Sequence, residues 1–423
     1  MMFDRFYRQR LEADLERWLA NGVVTPQAAA AIRGTLPPMG AGINIAVVMA
    51  IVGGLLIAAA FLAFIAANWN EIARPMRFAM LAGGMVVAYG LGAWLARADR
   101  AVLADLCASV GSIIFGAGIA LVGQMYHLGG DFAGGMLLWA CGALVASVLT
   151  GSRGALAVAL ATACLWSTTR ASEIPDVPHL AFVPFWILAA ILAFAWNSRV
   201  AAHLVAVAAL PWWFAAAFEP HINDFARLFV LVDGAALMFG AGLLLAAAPW
   251  QRTQSIGAVL ATYGAFLLAF AAAMQTTILN DSVTSSSERA GQPVWAISCG
   301  VAGVIFAVGA AALTRRGGAA FAAAAIAIVL AVAAIWTPQM ASGPWLIYIL
   351  ELCAMLCLVV SGMLDGNRPR VVAGWLGLAG VIAGITWAVR GSLLQRSVFL
   401  AAAGAVAALL ATVLHRVLPR DHA

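Results

Sequence analysis

Apolar runs long enough to cross a bilayer recur along the sequence, at intervals of roughly 25–30 residues from residue 43 onward. A membrane helix needs about 20 predominantly apolar residues, because its backbone polar groups must be satisfied within the helix when lipid surrounds it. Of all residues, 64% are hydrophobic and 10% are charged, whereas a typical soluble domain carries about 25% charged residues. The sequence therefore predicts an all-α, polytopic transmembrane helix bundle.

The apolar runs predict about fourteen membrane spans, with ends uncertain by about 2–4 residues. The predicted spans are residues 43–67, 77–96, 101–124, 133–150, 154–170, 180–197, 200–218, 226–248, 255–275, 294–314, 318–336, 344–364, 371–390 and 394–415. The chain then divides into a small polar head, residues 1–42, and a helix bundle, residues 43–423.

The arginines predict the orientation of the bundle. All 23 basic residues are Arg, and cytoplasmic loops of membrane proteins carry an excess of basic residues. If the head is cytoplasmic, sixteen Arg fall on the inner side and seven on the outer side. The absence of Lys and the abundance of Ala and Gly are typical of a GC-rich bacterial genome. We therefore predict a multi-pass protein of the bacterial inner membrane, with the N-terminus and C-terminus in the cytoplasm.

The head, residues 1–42, has the pattern of a cytoplasmic helical hairpin. Its first helix has an apolar face that includes Trp18, and Gly22 is a stop signal. Thr25 then serves as an N-cap, and Pro26 takes the first position of a second helix. Five Arg against four acids make no basic patch, so nucleic acid is not a predicted partner. We expect the hairpin to pack on the membrane surface or on the bundle.

Two acids, Asp233 and Glu351, lie one to two turns inside predicted spans. An ionisable group at that depth costs on the order of 3 kcal/mol, and it is usually paired or faces a cavity. One interpretation makes them a transport or coupling site for a proton or another cation. The other makes each a neutral or paired carboxyl that is hydrogen-bonded to neighbouring helices. Both interpretations stay open from the sequence.

Two turns on the predicted outer side carry a candidate polar cluster. Its members are Asn68, Trp69, Glu71, Arg74, Arg77, Gln124, Tyr126, His127 and Asp131. Arg74 and Arg77 run against the inside bias, so we expect them to have local partners. Glu71 and Asp131 are the candidates. The alternative is two well-capped tight turns, in which Asp131 caps the span that follows it.

The sequence contains no P-loop, nucleophile elbow, Rossmann fingerprint or zinc motif. An ATP-driven pump or a conventional enzyme is therefore disfavoured, and we predict no cofactor and no metal site. A lipid-modifying enzyme is a third hypothesis, because His and acidic residues on the outer side could act as acid and base groups. No spacing among those residues supports it.

Small residues recur four apart within the third predicted span, at Ala108, Ser112, Gly116 and Ala120. Such a stripe lets another helix approach closely where lipid supplies no hydrophobic driving force.

A separate pattern is compatible with an internal repeat. A Trp, a polar turn that runs from Thr to Gly, and a second Trp occur in residues 139–166 and again in residues 295–336. Spans 3–8 and 9–14 would then form parallel six-helix repeats.

Three stretches carry a resemblance to a known family. They are Leu15…Trp18…Gly22-Val23…Thr25, then Asn68-Trp69 with Pro75 after it, and GSIIFGAGIALVGQMYHLGGD ending at Asp131. Over about residues 5–150 the chain resembles the bacterial predicted-membrane-protein family called domain of unknown function 2157. The resemblance implies an integral membrane protein of unassigned activity.

The leading functional hypothesis is a secondary transporter or flippase-like carrier, with a small molecule or lipid as substrate and with Asp233 and Glu351 as coupling acids. The alternative is a non-transporting scaffold or sensor that acts through its cytoplasmic head. Transport predicts a polar, water-reachable cavity bordered by both acids, whereas acids that point to lipid, or that are sealed among packed helices with no channel, would favour the alternative. A scaffold requires a tightly packed core and an exposed apolar patch on the head.

Overall fold

The computed structural model describes ten ranges of the chain. They are residues 11–12, 14–35, 45–68, 71–125, 131–173, 179–218, 222–281, 294–314, 317–337 and 345–388. Within these ranges the protein is all-helical and no strand occurs. The helices are α1 (Pro26–Thr35), α2 (Ile45–Ala67), α3 (Arg74–Arg97), α4 (Ala101–Met125), α5 (Phe132–Thr150), α6 (Arg153–Glu173), α7 (Phe182–Ala195), α8 (Arg199–Ala217), α9 (Asp224–Ala247), α10 (Gln251–Asp281), α11 (Val294–Leu313), α12 (Gly318–Trp336), α13 (Trp345–Leu364) and α14 (Arg368–Ala388).

The predicted membrane bundle is confirmed as a fold class. Each of the first thirteen predicted spans overlaps one helix from α2 to α14. Ten helices in the described ranges are long and apolar enough to cross a membrane, whereas α7 is a shorter apolar helix of 14 residues. The last predicted span, 394–415, lies outside the described residues. The count of fourteen spans and the six-helix repeat therefore stay predictions.

The chain forms two compact units, Met1–Ile114 and Phe115–Ala423. In the first unit, residues 14–20 are helical and Gly22 adopts a left-handed φ of 69° before α1. The Thr25 hydroxyl accepts a hydrogen bond from the Ala28 N–H at 3.2 Å, so the predicted N-cap of α1 is confirmed. The predicted head boundary at residue 42 lies outside the described residues. The cytoplasmic hairpin stays a prediction.

Helices α3 and α4 pack through small residues within the first unit. A Cβ on Gly111 would lie 2.7 Å from the Tyr89 ring, and the Tyr89 hydroxyl lies 3.2 Å from Ser112 Oγ. Ala108 and Ser112 are buried, so this part of the predicted small-residue stripe is a packing face. In the second unit, the Trp139 ring fills the space beside Gly116, whereas Ala120 is exposed.

Helix α9 lies at the centre of the second unit. Every residue from 228 to 236 is buried, which covers all faces of the helix over more than two turns. A helix that is apolar and buried all round is surrounded by other elements rather than by lipid on one side. Its neighbours are α8, α10, α11, α12 and, through shared core residues, α13.

Glycines bring the backbones of α9, α10 and α11 into direct contact. A Cβ on Gly303 would overlap the backbone of Ala236, and one on Gly240 would overlap the carbonyl of Gly303. On the α10 side, a Cβ on Gly264 would lie 2.5 Å from the Cα of Phe239. Side chains larger than hydrogen at these positions would therefore force the three helices apart.

We expect Gly303→Ala to destabilise the second unit by about 1–3 kcal/mol or more, because the added methyl group meets backbone rather than a mobile side chain. The measurement is thermal or denaturant unfolding of the purified protein in detergent. Gly118→Ala is the matched control, because nothing lies within 4 Å of the position of its Cβ. The control should be neutral, or more stable by up to about 1 kcal/mol. Equal effects of the two substitutions would contradict the close packing of α9 and α11.

Candidate functional site

Asp233 lies in the middle of α9 and is 2% exposed. Its Oδ1 has no hydrogen-bond partner among the described residues, and it lies so close to α11 that a Cβ on Gly300 would overlap it. Gly300 is therefore the residue that makes room for the carboxyl group. Burial of a polar atom without a hydrogen bond costs about 1–3 kcal/mol in proteins. We therefore expect the buried Asp233 carboxyl group to lower the stability of the fold.

The Trp213 ring of α8 covers the turn of α9 that carries Asp233. The ring lies against Gly234, where a Cβ would overlap it, and its Nε1–H donates to the Val230 carbonyl at 2.7 Å. Trp295 of α11 packs against Trp213 in an edge-to-face arrangement, with 5.9 Å between ring centroids. Helices α8, α9 and α11 are thus joined beside the buried acid by two indole rings.

Glu351 lies on α13 and is 0% exposed. In the amide orientation that satisfies its neighbours, Gln275 of α10 donates from Nε2 to Glu351 Oε1 at 2.6 Å. The amide oxygen of Gln275 then accepts from the Ile335 N–H of α12 at 3.0 Å. One buried amide therefore joins three helices. Within the described ranges, the second carboxyl oxygen, Glu351 Oε2, has no hydrogen-bond partner.

The two acids occupy separate positions in the core. In the part of the chain that the structure describes, no hydrogen bond or ion pair joins Asp233 to Glu351, and no cationic side chain pairs with either. Both are sealed by small residues and closely packed helices. A transporter with an open pathway would have a polar, water-reachable cavity bordered by both acids. Among the described residues, closely packed helices surround the two acids instead.

An apolar cleft of about 450 Å³ lies beside the Asp233 turn. Its walls come from α7, α8, α9, α10 and α11. Trp186, Trp212 and Trp213 line one side, while Gly234 and Cys299 lie next in sequence to Asp233 and Gly300 on the other. Neither Asp233 nor Glu351 is among the residues that line the cleft.

The predicted outer cluster is described only in part. Trp69, Tyr126 and His127 lie outside the described residues, as does the side chain of Gln124. Glu71 and Arg74 are exposed. The Asn68 amide donates to the Phe64 carbonyl at 2.9 Å, and the Arg77 Nε–H donates to the Ile72 carbonyl at 2.8 Å. These are bonds within the turn and its helices, and the joining of the two outer turns into one cluster stays a prediction.

Asp131 has the predicted capping role and an unpredicted partner. Its side chain accepts from the Ala133 N–H at 3.0 Å, so it is the N-cap of α5. It also forms an ion pair with Arg170 at the end of α6, which in turn pairs with Glu173 at 2.6 Å. The sequence pointed to Arg74 and Arg77 as partners, whereas the antiparallel packing of α5 on α6 brings Arg170 to this carboxylate.

Arg370 is a functional candidate that the sequence did not reveal. It lies at the start of α14 and is 3% exposed. Its guanidinium donates to the Ser361 hydroxyl at 3.0 Å, pairs with Asp365 at 3.3 Å and lies 5.9 Å from the centre of the Phe239 ring. The only sequence signal was the turn that holds it, in which Asn367 caps α14. Gln275 had a clearer signal, because it is an amide inside an apolar run.

His179 lies in the turn between α6 and α7, where it contacts two Trp residues and a Ser. Its Nδ1 lies 3.1 Å from the Ser167 hydroxyl, and its ring packs edge-to-face on Trp166 at 4.5 Å. The Trp212 Nε1–H donates to its carbonyl at 2.9 Å. Burial lowers the pKa of His179 below its usual 6.5, and the positive charge of Arg170 lowers it further.

These features define an integral membrane protein with buried acids in its helix bundle. Residues 16–156 match the family DUF2157, which carries the description predicted membrane protein. The resemblance seen in the sequence is thus confirmed over that segment, and both buried acids lie beyond it. No curated protein and no solved structure matches the chain.

We expect Gln275→Leu to destabilise the protein by about 1–3 kcal/mol, because it leaves Glu351 with no hydrogen bond at all. The double variant Gln275→Leu, Glu351→Leu should recover most of that loss, since an apolar pair needs no partner. Gln254→Leu is the control, because Gln254 is an exposed amide on the same helix. Unfolding in detergent measures all three. A double variant that is the least stable of the set would argue against the Gln275–Glu351 bond.

Protonation of His179 should weaken the fold. Because the folded-state pKa lies below the unfolded value of 6.5, the unfolded chain binds more protons, so stability is full above pH 6.5 and falls as the pH drops below it. In His179→Gln this loss should shrink. The measurement is the midpoint of thermal unfolding between pH 8 and pH 5, with the experimental range taken around the usual pKa of about 6.5. Parallel curves for the two proteins would refute the coupling.

Proposed function

We propose that this protein is a secondary transporter or flippase-like carrier, in which Asp233 and Glu351 are the coupling acids. The observation that carries the proposal is that both carboxyl groups are buried inside the helix bundle with no cationic partner among the described residues. Buried polar groups are nearly always satisfied, so a buried carboxyl oxygen without a partner in the described residues calls for a physical explanation. Acids inside membrane spans are expensive, and they mark ion or proton pathways by default.

The chemistry favours a proton as the coupling ion. An ionised carboxylate is too costly in a sealed apolar site without a cation, so a group of this kind is neutral unless it is paired. In the described residues neither acid has a cationic partner. A neutral carboxyl can release its proton only when water or a base reaches it. The proposal therefore takes the conformation described here as the closed one, and transport requires the helices around the acids to separate on one side at a time.

A scaffold or sensor is the second candidate. Its support comes from the head, where Trp18 is 41% exposed and Val23 is 70% exposed. Two neighbouring apolar side chains on a small polar head could contact a partner protein. The sealed packing around both acids favours this candidate over an open carrier, because neither acid borders a polar cavity among the described residues. Under either candidate, we propose a location in the bacterial inner membrane with both termini in the cytoplasm, on the basis of the Arg distribution, and no enzymatic activity.

The test is complementation of a strain that lacks the protein, read by lipid and metabolite profiling. We expect the wild type to restore the profile and Asp233→Asn and Glu351→Gln to lose most of that restoration, because each amide keeps the shape of the acid but cannot exchange a proton. Asp224→Asn is the matched control: it lies on the same helix as Asp233, its side chain is 53% exposed, and it should restore the profile fully.

Membrane abundance and unfolding midpoints of each variant separate loss of function from loss of the fold. If the double variant Asp233→Asn, Glu351→Gln folds normally and restores the wild-type profile, the carrier proposal is wrong. If Trp18→Ser with Val23→Ser abolishes restoration while the acid variants retain it, the scaffold is the correct candidate.

A further inference from the structure

The apolar cleft beside Asp233 lies among five helices, of which α8, α9, α10 and α11 are long and apolar enough to cross a membrane. Its walls include the central part of α9, from Gly234 to Ala241, and the central part of α10, from Leu260 to Leu267. These stretches lie more than one turn from both ends of their helices, at the depth of the hydrocarbon core. Its volume of about 450 Å³ is within the roughly 300–1,000 Å³ of ligand sites in proteins.

The cleft offers no hydrogen bond from its three indole groups. Trp186 Nε1–H donates to the Val205 carbonyl at 2.8 Å, Trp212 Nε1–H donates to the His179 carbonyl at 2.9 Å, and Trp213 Nε1–H donates to the Val230 carbonyl at 2.7 Å. Each ring is therefore locked in place with its donor turned to the protein backbone. The rings present apolar surface to the cleft.

In the part of the chain that the structure describes, no charged side chain lines the cleft either. The remaining walls are formed by Phe, Val, Leu, Met, Ala, Gly and a Cys thiol. A headgroup, a sugar or an amino acid would lose its hydrogen bonds to water here and gain none in return. An occupant without polar atoms has no hydrogen bonds to lose on entering. The absence of polar groups in the walls therefore favours a hydrocarbon occupant.

We propose that this cleft binds one hydrocarbon chain of a membrane lipid. The rigid Trp walls fit a flexible chain, because they supply a broad apolar contact area at no cost in side-chain ordering on binding. The Trp213 ring lies both in the wall of the cleft and against Gly234, so an occupant touches the turn that carries Asp233. If the bound chain belongs to a transported lipid, that part of the proposal rests on the proposed function. The binding of a hydrocarbon chain in the cleft does not depend on transport, and the experiment below tests binding by itself.

The experiment uses the full-length protein in lipid nanodiscs that contain a phospholipid with a photoreactive diazirine in one acyl chain. After irradiation and proteolysis, mass spectrometry maps the labelled positions. We expect labels to concentrate on residues 182–186, 209–213 and 234–241. Ala241→Leu fills the cleft from α9 and should lower labelling of these segments at least about fivefold. Ala195→Leu is the matched control, because Ala195 is exposed on α7 and does not line the cleft.

Equal labelling in the wild type and in Ala241→Leu, or labels spread evenly over all exposed helices, would overturn the proposal. So would a crosslink between two copies of the chain across these segments, because a second copy would then cover the cleft. A second substitution, Ala209→Leu, guards against misfolding of the first, since it fills the same space from α8. Reduced labelling together with unchanged complementation would support the binding site and reject the lipid as cargo.

Discussion

The direct backbone contact of α9 with α10 and α11 is the constraint on which the second unit depends. In a bilayer there is no hydrophobic drive between helices, so association comes from close packing and from hydrogen bonds. Gly240, Gly264 and Gly303 allow that approach, and residues 228–236 of α9 are buried on every face. Within this stretch every side chain is surrounded by protein atoms. An acid on it must therefore be accommodated by its neighbours.

Two different solutions accommodate the two acids. Gly300 makes room for Asp233 by having no side chain, and leaves one carboxyl oxygen without a hydrogen bond. Gln275 serves Glu351 by donating one hydrogen bond while it holds α12 through Ile335. Neither solution supplies a positive charge. The core therefore tolerates neutral acids and would have to rearrange for ionised ones, which is the property that a proton-coupled carrier needs.

Local features of the site could be predicted because their partners lie close in the chain. Thr25 caps α1, and Asp131 caps α5, through bonds to residues two or three positions away. The pairing of Asp131 with Arg170 could not be predicted in the same way, because it spans 39 residues and depends on how two helices pack. The same holds for Gln275 and Glu351. Their residue types marked them as unusual, but the choice of partner depends on helix register.

The sequence by itself determined that the chain is a bundle of membrane helices, where those helices lie and which acids fall inside them. Hydropathy and length suffice for this, because the bilayer imposes the same requirement on every span. Only the tertiary structure decided that both acids are sealed, that Arg370 is buried among Ser361, Asp365 and Phe239, and that three Trp side chains wall an apolar cleft beside Asp233. These facts depend on which helix faces meet, and that is set by small residues whose effect appears only when two helices are brought together.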